Sequence, residues 1–366
     1  MSSVSAPIKN VQYLVEKNLS RRLLETVPLA VLEKLFGIDG PLERDGRTMD
    51  PLIRVVVEAN RMKPPLESLG LEKCREQYEK VVKVLDTPFP KTVTRRDRVI
   101  TLDSDLEGPR DVGIRIYEKP HRPGEQRPVM VFYHGGGWVV GSVESTDRLC
   151  ATFCDVLDHV VISVNYRLTP EHPFPAPQYD AVDAFSWVQA HAAHFGGDPA
   201  RVYVAGDSAG GQLAAVVAQQ TTLLERPAPC LQVMIYPGVD RLKRGASHHT
   251  LGDGYLLSRG MLNWFHNTFI PHDREDHNIL ASPIEAEPDL LSRLPPALLT
   301  TAGFDLLRDD GAAYAEKLRE AGVDISYMEF EDLVHGYVTM TGVIPRAREA
   351  ILQTAEQIMF KLARLS

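Results

Sequence analysis

The stretch Gly206-Asp207-Ser208-Ala209-Gly210-Gly211 sets a serine among small residues, directly after the apolar run Val202-Tyr203-Val204-Ala205 and before a helical pattern. A strand that reverses into a helix over so few residues strains its turn residue, and only small neighbours allow it. The turn lifts the serine oxygen clear of the sheet edge. The helix behind aims free N–H groups and the positive end of its dipole at the same point. A serine so placed can attack an acyl carbon. A phosphate-binding glycine turn is the competing reading, but the spacing is not G-x-G-x-x-G and no Gly-Lys-Ser/Thr follows.

His134-Gly135-Gly136-Gly137-Trp138 directly follows the apolar run 129–133. Attack on an ester makes a tetrahedral oxyanion, and each preorganised N–H aimed at it is worth about 3–4 kcal/mol. Gly136 and Gly137 are the leading loop donors, with Gly135 retained because the register is open. The N–H of Ala209, at the start of the helix, is a further donor. A plain tight turn rarely needs three consecutive glycines, and the serine motif follows one strand–helix–strand unit later. Trp138 reads equally as lining a substrate pocket or as packing beside the glycines.

A hydroxyl needs a histidine to take its proton, and the histidine needs a partner to fix its tautomer. Serines in such turns are followed along the chain by the acid and then the histidine. His335, in a short loop after the apolar run 325–330, is the expected base. His248, His249, His266, His272 and His277 read as surface or substrate-lining, and His134 as a support for the glycine loop. Asp305, at the end of the run 297–303, is the expected acid. Asp309 and Asp310 suit a helix's first turn, where carboxylates complement the dipole. Asp207 reads as a structural hydrogen-bond acceptor, and Glu331 and Asp332 remain weaker candidates for the acid.

The elements that must hold these groups are legible as short apolar runs at 129–133, 160–165, 202–205, 231–236, 297–302 and 325–330. Helical patterns lie at 179–191, 211–224, 310–320 and 346–365. Continuous apolar strands alternating with helices describe an α/β protein, with a mostly parallel sheet covered on both faces. Before residue 96 the pattern is helical, including 11–24 and 71–85, so residues 1–95 are expected to form a helical cap region. Residues 96–366 are expected to form the catalytic domain, with a cap-side insertion around 240–289.

Forty basic against forty-nine acidic residues give a net charge of −9 with no basic stripe, which argues against nucleic acid as a partner. The four cysteines have neither metal-pair spacing nor a disulfide framework, so the cytoplasm is the expected compartment. Cys150 and Cys154, one helical turn apart, read as buried small residues. No basic-then-apolar leader and no run of about 18 apolar residues is evident, so no membrane span is expected. The serine chemistry calls for no metal and no organic cofactor.

Together, His134-Gly135-Gly136-Gly137-Trp138, Tyr166-Arg167-Leu168-Thr169-Pro170-Glu171-His172, Gly206-Asp207-Ser208-Ala209-Gly210-Gly211 and His335-Gly336 resemble the hormone-sensitive-lipase-like esterases, also called bacterial family IV. The likeness spans roughly residues 95–366. It implies the α/β-hydrolase fold, an eight-stranded sheet, a largely N-terminal cap, hydrolysis of short to medium acyl esters, and the same triad. It is also compatible with a homodimer. Where that family reads Asp-Pro-Leu-Arg-Asp, this chain has Asp305-Leu306-Leu307-Arg308-Asp309, which relaxes the turn but keeps the first carboxylate. Three rival functions stand beside the esterase: an amidase or deacetylase with the same triad, a binding protein on a hydrolase scaffold, and a lipid-surface lipase, which the lack of a long exposed apolar lid in the sequence disfavours. Plant gibberellin receptors, which share the fold, lack the histidine that His335 supplies here.

Overall fold

The computed structural model describes residues 24–120, 124, 126–270 and 277–365. The helix expected over 11–24 lies outside the described residues except for Leu24, and so does His272. Eight strands form one sheet: β1 Thr94–Leu102, β2 Arg110–Glu118, β3 Arg127–Tyr133, β4 Val160–Asn165, β5 Gly197–Asp207, β6 Gln232–Ile235, β7 Ala297–Phe304 and β8 Ile325–Val334. Their order is β8-β7-β6-β5-β3-β4-β2-β1. Strands β3 to β8 are parallel, and β2 runs antiparallel to both its neighbours.

The six apolar runs are the six parallel strands. Burial on both faces removes the usual alternation, and all eight residues of β7 are buried. Strands β1 and β2 escaped the sequence reading for the opposite reason. β1 is an edge whose residues are exposed except Ile100 and Leu102, so Thr94-Arg95-Arg96-Asp97-Arg98 shows no apolar pattern. Charges of this kind discourage edge-to-edge pairing. β2 hides Arg115, whose guanidinium bonds Asp97 at 2.6 Å and Asp147 at 3.1 Å.

Ahead of the sheet come helices α1 Leu29–Phe36, α2 Pro51–Arg61 and α3 Leu71–Leu85, with a two-stranded hairpin at Glu43–Arg44 and Arg47–Thr48. Asp50 caps α2 by accepting the N–H groups of Leu52 and Ile53 at 2.9 and 3.0 Å. Within the sheet region follow α4 Asp147–Leu157, α5 Ala176–His191, α6 Ala209–Leu223, α7 Arg259–Phe269, α8 Arg308–Glu320 and α9 Pro345–Ala363. Alternate residues of β3 serve two cores. Met130 and Phe132 pack with α4 and α9, whereas Val129, Val131 and Tyr133 pack with α5, α6 and α8. Ile53 and Val57 of α2 join the first core together with Tyr255, Leu257 and Phe265, so the N-terminal helices and the 240–289 segment share one apolar contact.

Cys150 and Cys154 are both fully buried, as expected, and all four cysteines are free thiols. Among the described residues no helix is long and apolar enough to cross a membrane.

Candidate active site

Strand β5 ends at Asp207 and α6 begins at Ala209, so Ser208 is the whole turn. Its φ of 56° with ψ of −117° is strained for a residue with a side chain. Three backbone hydrogen bonds hold it there: its N–H donates to the Ile235 carbonyl at 2.9 Å, and its carbonyl accepts from Gln212 N–H at 3.0 Å and Gly238 N–H at 3.3 Å. Close approach explains Gly210, because a Cβ there would stand 1.9 Å from the Tyr133 carbonyl oxygen.

His335 follows β8 and brings Nε2 to 2.9 Å from Ser208 Oγ. Its Nδ1 lies 2.7 Å from Asp305 Oδ2. Asp305 is buried at the end of β7, and its other oxygen accepts Leu307 N–H at 2.9 Å, which fixes the carboxylate plane. An imidazole donating from Nδ1 presents Nε2 as the acceptor facing the serine hydroxyl.

The other acids are engaged elsewhere. Asp309 and Asp310 do lie in the first turn of α8, but their oxygens go to the 240–289 segment. Asp310 accepts Gly245 N–H at 2.9 Å, and Asp309 accepts Ser247 N–H at 2.8 Å. Asp332 receives Arg346 Nε at 2.7 Å, and Glu331 is exposed. His248 departs from expectation. It is neither on the surface nor in the cavity but buried, with Nε2 2.5 Å from Asp310 Oδ2. His249 and His277 are exposed, and His266 lines the cavity, where burial pushes its pKa well below the ordinary histidine value.

Asp207 is the structural acceptor that its position suggested. Its Oδ1 takes Gly135 N–H at 2.8 Å, so the carboxylate beside the nucleophile turn ties down the glycine loop. Burial raises its pKa to about 6 against the opposing pull of that N–H. Gly135 therefore drops out as an oxyanion donor, because its N–H already has an acceptor. Gly136, Gly137 and Ala209 face the cavity beside Ser208, and among the described residues no protein acceptor takes their N–H groups. Gly136 has φ of 121°, a conformation that side chains disfavour.

His134 supports this loop. Its Nδ1 lies 2.8 Å from the Gly135 carbonyl, its ring stacks on Tyr166 with centroids 4.2 Å apart, and burial pushes its pKa down to about 4. Trp138 both packs and lines: it stacks on Phe269 at 4.1 Å, donates Nε1–H to Gln212 at 3.2 Å, and forms part of the cavity wall.

Sequence reasoning missed Arg75 and Tyr78, both on α3. Arg75 donates Nε–H to the Val139 carbonyl at 2.8 Å and Nη2–H to the Thr169 carbonyl at 3.0 Å, and it grips Glu171 with two bonds of 2.7 and 2.8 Å. Thr169 N–H in turn donates to the Trp138 carbonyl at 2.9 Å. The one available signal was Glu171, an acid in a recognised motif that needed a cation. Tyr78 lines the cavity, and burial, aided by the nearby Asp207 charge, raises its hydroxyl pKa.

The cavity measures about 770 Å³. Ser208, His335, Gly136 and Gly137 lie at its base, and α2, α3 and α7 form its walls. Among the described residues no group of three or more His, Cys, Asp or Glu side chains could hold a metal ion.

A family model described as the alpha/beta hydrolase fold matches residues 130–339. The chain is 36% identical over 339 residues to the carboxylic ester hydrolase LipN of Mycobacterium tuberculosis, covering 88% of each chain. It is also 36% identical to the carboxylesterase NlhH of that organism, covering 76% of this chain and 94% of the relative. Among solved structures, a thermostable esterase from Pseudomonas putida superimposes with a TM-score of 0.80 at 30% identity, covering 86% of this chain and 97% of that one. The eight-stranded sheet, the motif-bearing turns and these likenesses make the chain a member of the α/β-hydrolase family, on its hormone-sensitive-lipase-like esterase branch.

Proposed function

We propose that the protein is a carboxylesterase acting on short to medium acyl esters, with Ser208 as nucleophile, His335 as base and Asp305 as its orienting acid. The observation that carries this reading is the unbroken series Asp305–His335–Ser208, at 2.7 and 2.9 Å, opening into an apolar cavity. Ser208 Oγ attacks the acyl carbon while its proton passes to His335 Nε2. The oxyanion gathers N–H groups from Gly136, Gly137 and Ala209. The imidazolium then protonates the leaving alcohol, and the acyl group remains on Ser208. Water repeats the sequence, giving its proton to His335 as it attacks, so that the acid is released and the serine hydroxyl restored. Residues 1–95 act as a cap over the catalytic domain of 96–366, and together with 240–289 they bound substrate size.

The test is a series of p-nitrophenyl esters from acetate to decanoate, run beside a matched anilide. Expected are turnover greatest at short to medium length and far slower release from the anilide. Ser208→Ala should reduce ester turnover by on the order of 10⁴-fold or more and remove stoichiometric labelling by an organophosphonate. Undiminished labelling in that variant would overturn the nucleophile assignment, and preference for the anilide would move the protein to the amidases.

A further inference from the structure

We propose that the cavity is built for esters that carry a carboxylate remote from the scissile bond, and that Lys63 holds that carboxylate. The inference rests on the esterase reading and adds the class of substrate.

Lys63 lines the same cavity as Ser208, just beyond the end of α2. The lining is mostly apolar. Arg61 Nη1 pairs with Glu58 at 2.9 Å. Glu67 lies over the first turn of α7, its Oε1 3.0 Å from where a Cβ on Gly260 would stand, and so complements that helix's dipole. Lys80 is exposed. The Lys63 ammonium has neither an ion pair nor a side-chain hydrogen bond among the described residues, although it is half-buried, and burial lowers its pKa. An ammonium partly withdrawn from water without a partner is unfavourable, and the penalty is relieved when an anion enters. Pro64 and Pro65 follow directly, so the backbone bearing the ammonium is already restricted and little order need be imposed on binding. The cation and the nucleophile bound one continuous space, which suits a chain with an ester at one end and a carboxylate at the other.

The experiment compares kcat and KM for p-nitrophenyl hydrogen adipate, suberate and sebacate with the neutral esters of matched length, at low ionic strength, using the full chain. At one length or more, the anionic ester should exceed its neutral match at least tenfold in kcat/KM. Lys63→Met should remove that advantage chiefly through KM while leaving p-nitrophenyl hexanoate within twofold. Lys63→Arg should restore most of it. Titration calorimetry of monomethyl adipate into the Ser208→Ala protein, with and without Lys63→Met, reads the same contact without turnover. Neutral preference at every length, or an equal effect of Lys63→Met on both substrate types, would overturn the proposal. Absent turnover of all neutral esters would instead count against the esterase reading, and the calorimetry would then decide the role of Lys63 by itself.

Discussion

Asp305 is the carboxylate that meets His335: one oxygen accepts Leu307 N–H and the other faces His335 Nδ1. Its replacement by Asn keeps the shape but presents the wrong polarity to Nδ1. Asp305→Asn is expected to lower kcat by about 10⁴-fold with little change in KM, as steady-state kinetics on a folded variant would read. Asp207, at the end of β5 beside Ser208, has a different duty, because its partner is the glycine loop. A methyl on Gly135 would meet its Oδ2 at 2.4 Å. Gly135→Ala should therefore displace the neighbouring donors and reduce kcat by about 10²-fold, the order seen when an oxyanion donor is lost. A normal kcat in that variant would show that the loop tolerates the intrusion.

Among the elements, α3 ties two loops of the site region together through Arg75. Arg75 joins the backbone after the glycine loop to the Thr169 loop, and its salt bridge to Glu171 is partly exposed, with side-chain exposures of 28% and 49%. Exposed pairs of this kind contribute only about 0–1 kcal/mol. Arg75→Met should accordingly change the thermal midpoint little yet lower kcat roughly tenfold, by freeing the Val139 carbonyl. Glu171→Gln should give a weaker version, and the double variant should lose less than the sum of the two, because the residues act as a unit. None of this was readable from periodicity: Arg75 occupies a half-buried helical position that any solvated arginine could fill, and its acceptors lie 64 and 94 residues away. Strand β1 was hidden in a similar way, since an exposed, charged edge carries no apolar signal.

At the scale of the molecule, buried titratable groups set the acid limit. His134 and His159 have pKa values pushed down to about 4 by burial, so the unfolded chain binds protons that the native state refuses. Their contribution is present above the ordinary histidine pKa and is lost as pH falls toward 4, by about 2 kcal/mol each between pH 7 and 5. Asp207 works in the opposite sense. With its pKa raised to about 6, the native state takes up a proton first, and stability rises as pH falls through that value. Two imidazoles outweigh one carboxyl, so urea midpoints should fall from pH 7 to pH 5, and His159→Gln should flatten the slope.

The sequence by itself determined the parallel strands and the strand–turn–helix setting of Ser208, because burial on both faces and a strained strand–helix turn each leave a local mark in residue type. Only the tertiary structure decided which carboxylates reach an imidazole, that Asp305 meets His335 while Asp310 meets His248. It likewise decided that Gly135 gives its N–H to Asp207, and that α3 clamps the glycine loop through Arg75. Those pairings depend on distances between segments far apart along the chain, and packing, rather than any local pattern, sets such distances.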